Sequence, residues 1–406
     1  MPIAPLPVAV VGLGGFATVH HRSLLRLEQA GVARLVATCD PRAAELIKAV
    51  PELRLAERGV DVLPDLDALL AAHGQTVRLV TLPTPVPLHA PMHQACVQRG
   101  LAVYLEKPPT LDPAELERMI VVDAAARVPT WVGFNFIRDP IRQDIKRRVL
   151  AGEFGKLLAV RVFVSWQRND AYYGRADWAG RLILRDRLVL DGPLGNAMAH
   201  YVHDALHWAG STQDSWGQPQ RVRASLLRAH HIQGADTVLA EVETDGPPVR
   251  IAVTHAGESN RDPQEELVCE RAVIRVQPGG VERIRIVRAG QPDELITEAD
   301  PQHDLENMRA ACALVAAGSG RPATTLADSR PFVQLNALAH LSTGRIGLEP
   351  ACTGTWPGML AMCERFLAEG THPSDQGLVA APWPEWVTPA DLPRLRAAVD
   401  RLAAVG

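Results

Sequence analysis

A short apolar strand that runs directly into a glycine-rich turn constrains the fold of this chain more than any other feature. Residues 8–11 lead into the pattern G-x-G-x-x-A, and a helical segment begins near Thr18. Such glycines let the backbone turn tightly and approach a pyrophosphate, the alanine permits close helix packing, and the helix N-terminus favours negative charge. A tight turn without a ligand is the alternative interpretation of the pattern alone. The residues predicted to contact a dinucleotide here are Gly12, Gly14, Gly15, Phe16 and Ala17.

An acidic residue at the end of the second predicted strand strengthens this interpretation. Asp40 follows Thr38 and Cys39, at a position where a carboxylate bonds the adenosine ribose hydroxyls of a dinucleotide. A carboxylate also repels a 2′-phosphate, so Asp40 favours NAD over NADP. Arg42 would instead bind that phosphate, or it is a solvated arginine at the start of a helix. NAD is therefore the expected cofactor, with NADP as the alternative.

The hydrophobic pattern predicts an α/β protein with two sheets. Short apolar runs at 8–11, 35–39, 78–82, 102–105 and 130–134 alternate with helical patterns, which is typical of a doubly wound parallel sheet. Longer alternating runs at 157–166, 221–227, 238–242, 249–255 and 281–287 predict a large, mostly antiparallel open sheet. Helices are predicted at 304–317 and 331–343.

These patterns divide the chain into three parts. Residues 1–130 are predicted to form the Rossmann domain, and residues 131–347 a second α/β domain. Residues 348–406 form a C-terminal extension that is rich in Pro and Trp and carries no usable motif, apart from a helix after Pro389.

The composition argues against several classes of protein. The 406 residues carry a formal net charge of −4 without blocks of one sign, so neither nucleic acid nor an anionic membrane is an expected partner. The six cysteines are scattered, without C-x-x-C pairs, so neither disulfides nor a structural metal is expected. The N-terminus is predicted to be a strand and not a signal peptide, no stretch reaches the roughly 20 apolar residues of a membrane span, and the expected location is the cytoplasm.

Two further motifs resemble those of a known family. Thr84 and Pro85 followed by His89, and then Glu106-Lys107-Pro108, are similar to the T-P-x-x-x-H and E-K-P signatures of the Gfo/Idh/MocA oxidoreductases. The resemblance continues through residues 132–140 and 151–155. It implies that the first domain binds NAD(P), with Thr84, Pro85, His89, Glu106 and Lys107 at the cofactor. It also implies that the second domain's open sheet backs the substrate cleft, with Asn135 among the substrate contacts, and forms a homodimer or homotetramer.

Lys107 is the predicted catalytic residue of the first domain. It follows the fifth strand of a parallel sheet, where ligands meet such a sheet. Its ammonium would hydrogen-bond the reacting oxygen and stabilise developing negative charge, while a neighbouring group moves the proton. Glu106 is predicted to orient it, and a solvated lysine that caps the strand is the alternative.

The second-domain signature departs from the family pattern. That pattern is D-x-G-x-H-x-x-D, and the corresponding stretch here keeps its spacing with Asn196 and His200. On one helix these two residues would share a face, with His200 as the acid or base; asparagine cannot exchange a proton. An alternative register, aligned on Asp204, places Tyr201 at the histidine position. His203 and His207 follow at helical spacing and are predicted to be packed or surface residues, not metal ligands.

A loop-like segment at residues 166–181 is dense in aromatic residues and hydrogen-bond donors. Aromatic faces pack against the C–H face of a sugar ring while polar groups satisfy its hydroxyls, so the segment is predicted to contact a carbohydrate. An interface or a folded lid is the alternative. The predicted substrate contacts in the second domain are Arg168, Tyr173, Trp178, Asn196 and His200.

Three functions are consistent with these residues. The leading hypothesis is NAD(P)-linked redox chemistry at a hydroxyl or carbonyl carbon of a sugar, sugar derivative or cyclitol. The second is lyase or glycosidase chemistry in which NAD oxidises a ring hydroxyl transiently. The third is a non-catalytic dinucleotide-binding sensor, which Asn196 favours and the intact Lys107 argues against.

Overall fold

The structure, a computed structural model, describes residues 4–278, 282–297, 300–348, 354–375 and 384–405. The chain forms two compact units. The first unit comprises residues 1–110, 114–139 and 301–329, and the second comprises residues 111–113, 140–300 and 330–406.

The strands and helices of the described residues alternate in the first third of the chain and cluster by type afterwards. The strands, in chain order, are β1 Leu6–Val11, β2 Ala33–Cys39, β3 Asp61–Leu63, β4 Leu79–Leu82, β5 Ala102–Leu105, β6 Trp131–Val132, β7 Leu157–Ser165, β8 Ile183–Leu184, β9 Arg187–Leu188, β10 Pro219–Arg228, β11 Thr237–Thr244, β12 Val249–Thr254, β13 Arg261–Cys269, β14 Val273–Val276, β15 Glu282–Val287, β16 Glu294–Thr297 and β17 Gly347–Leu348.

The helices, in the same order, are α1 Ala17–Gln29, α2 Ala43–Leu46, α3 Leu66–His73, α4 His89–Val97, α5 Pro113–Asp123, α6 Pro140–Leu150, α7 Asp170–Tyr173, α8 Ala199–Ala209, α9 His303–Ala317, α10 Arg330–Ser342, α11 Met359–Glu369 and α12 Leu395–Val405. Across the described ranges, none of these helices combines the length and the apolar character that crossing a membrane requires.

Within the described residues, the first unit holds a six-stranded parallel sheet with the order β3-β2-β1-β4-β5-β6. Strand β1 pairs in parallel with β2 on one side and with β4 on the other. The direction of strand progression reverses between β1 and β4, and ligands of open α/β sheets bind beyond the carboxyl ends of the strands at this point. The predicted doubly wound sheet is confirmed.

Helix α9 belongs to the first unit although it follows the second sheet in the chain. Leu305, Met308 and Cys312 of α9 share one buried core with Leu24 and Leu27 of α1. Their spacing of three or four residues places the α9 side chains on one helix face. The unit boundaries therefore differ from those predicted at residues 130 and 347, because the first unit continues to residue 139 and takes in residues 301–329.

The second unit is built on a sheet whose order is β16-β15-β14-β13-β7-β12-β11-β10-β17 in the part of the chain that the structure describes. The pairs β7–β12 and β10–β17 are parallel, and the other neighbouring strands are antiparallel. The predicted large, mostly antiparallel sheet is confirmed, and β13, β14 and β16 are strands that the hydrophobic alternation did not predict.

Helices α8 and α11 cover opposite faces of this second sheet. Trp208 of α8 donates its Nε1–H to Glu265 of β13 at 2.8 Å, and Glu265 pairs with Val162 of β7. Successive side chains of a strand point to opposite faces, so Phe163 lies on the other face. There it packs in one buried cluster with Phe366 of α11.

The C-terminal segment, for which the sequence offered no motif, therefore folds onto the second unit. The Arg250 guanidinium of β12 donates to the carbonyl of Leu367 at 3.3 Å, and a cation at the last carbonyls stabilises a helix C-terminus. Val387 pairs with Val222 of β10, so the same segment also contacts this strand of the second sheet.

The position of α11 limits how a second copy of the chain could use this sheet. The buried cluster under α11 includes Phe163 of β7, Ala252 of β12 and Leu239 of β11, which are neighbours across the sheet. A homo-oligomer through this face would have to use the strands that α11 leaves uncovered, such as β14 and β15 with the exposed Arg275 and Arg285. A homodimer or homotetramer stays a prediction.

Candidate functional site

The turn between β1 and α1 has the geometry that its glycines predict. Gly12 and Gly15 have φ angles of 114° and 57°, in a region that residues with a Cβ rarely adopt. A Cβ on Gly12 would lie 3.2 Å from the Cβ of Ala17. Small residues at positions 12 and 17 therefore let α1 begin directly against the end of β1.

The beginning of α1 offers backbone donors for an anion. Among the described residues, the N–H groups of Gly14, Gly15 and Phe16 donate to no protein acceptor, and Phe16, the N-cap residue, makes no side-chain capping bond. A Cβ on Gly15 would meet no atom within 4 Å. Unsatisfied N–H groups at a helix N-terminus, with open space before them, fit the pyrophosphate of a dinucleotide.

Asp40 and Arg42 both lie beside this turn. The Asp40 carboxylate accepts hydrogen bonds from the N–H of Leu13 at 3.0 Å and from the N–H of Arg42 at 2.8 Å, which fixes it at the end of β2. The Arg42 side chain is exposed, and its Nη2 would lie 4.0 Å from a Cβ on Gly14. The geometry thus holds a carboxylate where a ribose is predicted and a guanidinium close to the phosphate turn.

His89 links the ends of β4 and β5. Its Nε2 lies 2.7 Å from the carbonyl oxygen of Thr84, and its Nδ1 lies 2.9 Å from that of Pro108. The ring is buried, and burial lowers the pKa of His89. The enclosed ring therefore positions the loops that carry Thr84, the exposed Pro85 and Lys107, and the cofactor contact of His89 stays a prediction.

Glu106 and Lys107 follow β5 directly. Glu106 is buried, and one of its carboxylate oxygens lies 2.9 Å from Nε2 of His20. The other oxygen accepts the backbone N–H of Lys107 at 3.2 Å. Glu106 is thus in contact with the Lys107 backbone, and the half-buried Lys107 side chain starts from the carboxyl edge of the parallel sheet.

A second carboxyl group near Lys107 comes from α9 and was missed by the sequence analysis. Tyr104 donates its hydroxyl to Oδ1 of Asn135 at 3.1 Å, and Nδ2 of Asn135 donates to Asp304. Burial raises the pKa of Asp304, the Glu106 charge raises it further, and the Lys107 charge opposes the rise. Asn135 thus holds Asp304 within the first unit through both ends of its amide, and its contact with substrate stays a prediction.

In the second unit, Asn196 is held by a buried carboxyl group. Its Nδ2 donates to Oδ1 of Asp191 at 2.8 Å, and the other oxygen of Asp191 accepts the N–H of Gly180 at 2.7 Å. Burial raises the pKa of Asp191, which these two hydrogen bonds oppose. The end of the 166–181 loop and the Asn196 turn are therefore fixed together.

The helix that Asn196 and His200 were predicted to share is interrupted. Asn196 lies in a π-helical turn, Pro193–Ala197, and α8 begins at Ala199 after Met198, which has φ −110° and ψ 16°. The prediction of one common helix face is therefore wrong. His200 is the second residue of α8 and is half-buried.

The other candidates on α8 are enclosed. Tyr201 is buried, and its ring meets that of Trp166 edge-on at 5.7 Å; burial raises the pKa of Tyr201. The rings of His203 and His207 each lie 5.2 Å from Trp216. In the described ranges, no group of three or more His, Cys, Asp or Glu could hold a metal ion.

The 166–181 loop stacks guanidinium groups between aromatic rings. Arg168 lies 5.8 Å from the ring centre of Trp166 and 4.7 Å from that of Tyr172. Arg175 lies 3.6 Å from Tyr172 and 4.8 Å from Trp178. Arg168 and Trp178 are half-buried and stay predicted substrate contacts. The Tyr173 side chain is buried, and its ring lies 5.0 Å from that of His230; its contact with substrate also stays a prediction.

A family model and several curated relatives match parts of this chain. The family model "Oxidoreductase family, NAD-binding Rossmann fold", Gfo/Idh/MocA, matches residues 6–134. An inositol 2-dehydrogenase of Mycolicibacterium smegmatis is 30% identical over 46% of this chain and 51% of its own length. The scyllo-inositol 2-dehydrogenase (NAD(+)) of Bacillus subtilis is 29% identical over 38% and 43%. The match thus spans about half the length of these curated relatives.

The fold of most of this chain is similar to that of a solved structure. The WlbA dehydrogenase of Bordetella pertussis, in complex with NADH and UDP-GlcNAcA, aligns with a TM-score of 0.69 over 84% of this chain and 96% of its own, at 24% identity. At this identity the likeness shows the fold alone. Residues 6–134, which build the Rossmann sheet, are thus similar to the Gfo/Idh/MocA oxidoreductase family.

Proposed function

We propose that this chain is an NAD-dependent dehydrogenase or reductase that acts on a hydroxyl or carbonyl carbon of a sugar, sugar derivative or cyclitol. The observation that carries the proposal is the carboxyl edge of the first sheet. There the open N–H groups of Gly14 and Gly15 stand at the end of β1, and Lys107 stands at the end of β5. The inositol dehydrogenases among the relatives support the substrate class.

The residues of the first unit have distinct roles in this proposal. The glycine turn and α1 would hold the pyrophosphate of NAD, and Asp40 would hold the adenosine ribose. Bound NAD supplies the acceptor for the two electrons of the oxidation. The Lys107 ammonium stabilises negative charge on the substrate oxygen, while Glu106 and Asp304 position that ammonium.

The second unit supplies the groups that recognise substrate. Asn196, oriented by Asp191, donates or accepts hydrogen bonds but cannot take a proton. His200 is the half-buried imidazole nearest in sequence, and it is the proposed group that exchanges the proton with the substrate hydroxyl.

A substrate screen tests this proposal. Neutral cyclitols and sugars, including myo-inositol, scyllo-inositol and D-glucose, are incubated with NAD and with NADP while absorbance of the reduced nicotinamide is followed. We expect reduction of NAD by at least one polyhydroxylated substrate. Tight retention of NAD through purification, with release of a cleaved product and no net NADH, would favour the lyase or glycosidase alternative instead.

We predict that NAD binds at least several-fold more tightly than NADP, because the Asp40 carboxylate opposes a 2′-phosphate. Asp40→Asn removes the charge but keeps an oxygen for the Leu13 or Arg42 N–H, and it should relax the preference. Titrations of both variants with NAD and NADP measure the ratio. Equal affinities in the unmutated protein would contradict the assignment and favour Arg42 as the phosphate ligand.

We predict that His200→Asn lowers kcat/KM by about 10²–10⁴, the loss expected for removing general acid–base catalysis. The pH profile should lose the limb that His200 contributes. His203→Asn, in the enclosed contact with Trp216, should change the melting temperature more than the rate. If Tyr201→Phe is the more damaging change, the register aligned on Asp204 is correct and His200 is not the acid or base.

A further inference from the structure

Two arginines of the 166–181 loop, Arg168 and Arg175, form no direct ion pair with a carboxylate among the described residues. The Nε of the half-buried Arg168 is itself buried without a hydrogen-bond partner. Arg175 is exposed, and its charge opposes the rise in pKa that burial causes at Asp191. A half-buried guanidinium without a directly paired carboxylate points to an anionic ligand.

The acidic residues of the same loop are committed elsewhere or exposed. Asp191 is buried and bonded to Gly180 and Asn196. Asp177 is exposed and pairs with Arg185 at 3.3 Å. Asp170 is exposed at the start of α7, where solvent screens its charge. The loop therefore presents net positive charge at Arg168 and Arg175.

The backbone of Arg168 is fixed from two sides by histidines. Its N–H donates to the carbonyl of His255 at 3.1 Å, and its carbonyl oxygen lies 2.9 Å from Nε2 of His230. The Nδ1 of His230 in turn lies 2.7 Å from the buried carboxylate of Asp236. Together with the aromatic stack, these bonds hold the Arg168 guanidinium in place before a ligand arrives, which reduces the entropy lost on binding.

Arg168 lines a cavity of a size that suits a sugar. The cavity has a volume of about 640 Å³ and is bounded by Arg168, Asn169 and Tyr172 of the loop and by Thr355 of the C-terminal segment. Small-molecule sites commonly measure about 300–1,000 Å³. The Asn169 amide and the Arg168 guanidinium offer hydrogen bonds for sugar hydroxyls and for an anionic substituent. Arg175 stacks on the Tyr172 ring of the cavity wall at 3.6 Å.

We propose that the substrate is an anionic sugar whose carboxylate or phosphate is bound by Arg168 and Arg175. This inference rests on the proposed function and names its substrate class. Guanidinium groups bind carboxylate and phosphate oxygens with charge-assisted hydrogen bonds. The stack with Trp166, Tyr172 and Trp178 keeps the two guanidinium planes oriented.

The test compares matched sugars that differ in charge. Isothermal titration of the NADH-saturated protein with D-glucose, D-glucuronate and glucose 6-phosphate separates a neutral, a carboxylate and a phosphate probe. We expect one anionic probe to bind at least about tenfold more tightly than D-glucose. Arg168→Gln and Arg175→Gln should each weaken that binding by about 10- to 100-fold, Arg175→Lys should weaken it less, and salt should weaken it in the unmutated protein.

The matched control is Arg185→Gln, which removes an exposed, paired arginine that follows the loop, and it should leave binding unchanged. Arg175 is exposed, so its variants report on binding even if Arg168→Gln fails to fold. The inference is overturned if no anionic probe binds more tightly than D-glucose, or if both glutamine variants bind it normally. NADH binding and the oxidation of neutral polyols are measured in separate experiments. A failure of the anionic-substrate inference can therefore be distinguished from a failure of the proposed dehydrogenase function.

Discussion

Replacing Lys107 with alanine is expected to lower kcat by about 10²- to 10³-fold, the range measured when one donor to a developing oxyanion is removed. Affinity for NADH should change little, because the phosphates are assigned to the glycine turn and not to the ammonium. Steady-state rates with the substrate found in the screen, together with NADH titrations, measure both quantities.

Lys156→Ala is the matched control, since Lys156 is an exposed lysine at the start of the second sheet. It should retain full activity. Asp304→Asn keeps the hydrogen-bonding shape beside Asn135 but removes a carboxylate near Lys107, and it should shift the pH profile of kcat without abolishing turnover. If the Lys107→Ala enzyme keeps more than about a tenth of kcat, the loss of transition-state stabilisation is below roughly 1.4 kcal/mol, which contradicts the catalytic role.

Arg142→Met is expected to lower the free energy of unfolding by about 3–5 kcal/mol, because it removes the guanidinium that pairs with the buried carboxylates of Asp204 and Glu265. The Arg142 guanidinium pairs with Asp204 and lies 3.0 Å from Glu265, which also accepts the Trp208 N–H. Burial raises the pKa of Glu265, and the Arg142 charge opposes that rise. Urea denaturation followed by tryptophan fluorescence measures the loss.

The loss of unfolding free energy caused by Arg142→Met should depend on pH. Without the guanidinium, the rise that burial causes in the folded-state pKa of Glu265 meets less opposition, so protonation of this carboxyl group favours the folded state. Lowering the pH from about 8 to about 5 should therefore reduce the difference in the free energy of unfolding between Arg142→Met and the unmutated protein. Arg147→Met, on the exposed side of the same helix, should cost less than about 1 kcal/mol. An Arg142→Met protein as stable as the unmutated one would contradict the buried charge network.

The Rossmann sheet could be predicted because each of its signals is local. The strand at Val8, the turn at Gly12 and Gly14, and the acid at Asp40 lie within a short stretch, and buried parallel strands form continuous apolar runs. The E-K-P motif placed Lys107 at the end of β5 by the same logic. These features require no knowledge of contacts between distant segments.

Strand β13 could not be predicted in the same way, because its inward positions are not all apolar. Glu265 lies on the buried face and is charged, so the period-two alternation that identifies a strand is broken there. Its partner Arg142 is distant in sequence, on α6. A search for alternating apolar residues therefore does not identify this strand, because one of its buried positions holds a residue of a buried ion pair.

The roles of Asp304 and α11 depend on long-range packing. Asp304 looks like an ordinary acidic residue in the first turn of a helix, and only the return of α9 to the first unit brings it to Asn135 and Glu106. The apolar side chains of α11, such as Phe366, fit a helix face, but the sequence does not say which surface they cover. Helical spacing also suggested one face for Asn196 and His200, whereas the π-helical turn breaks it.

The most direct test of the central claim is an NADH titration that needs no substrate. The nicotinamide fluorescence of NADH is followed with the unmutated chain, with Gly14→Asp, and with Ala44→Asp, an exposed control on α2. We expect one NADH molecule to bind per chain. Gly14→Asp should bind NADH at least about tenfold more weakly, because its carboxylate would repel the phosphates. Ala44→Asp should bind NADH as the unmutated chain does. Absence of NADH binding by the unmutated chain, or unchanged binding by Gly14→Asp, would contradict the central claim.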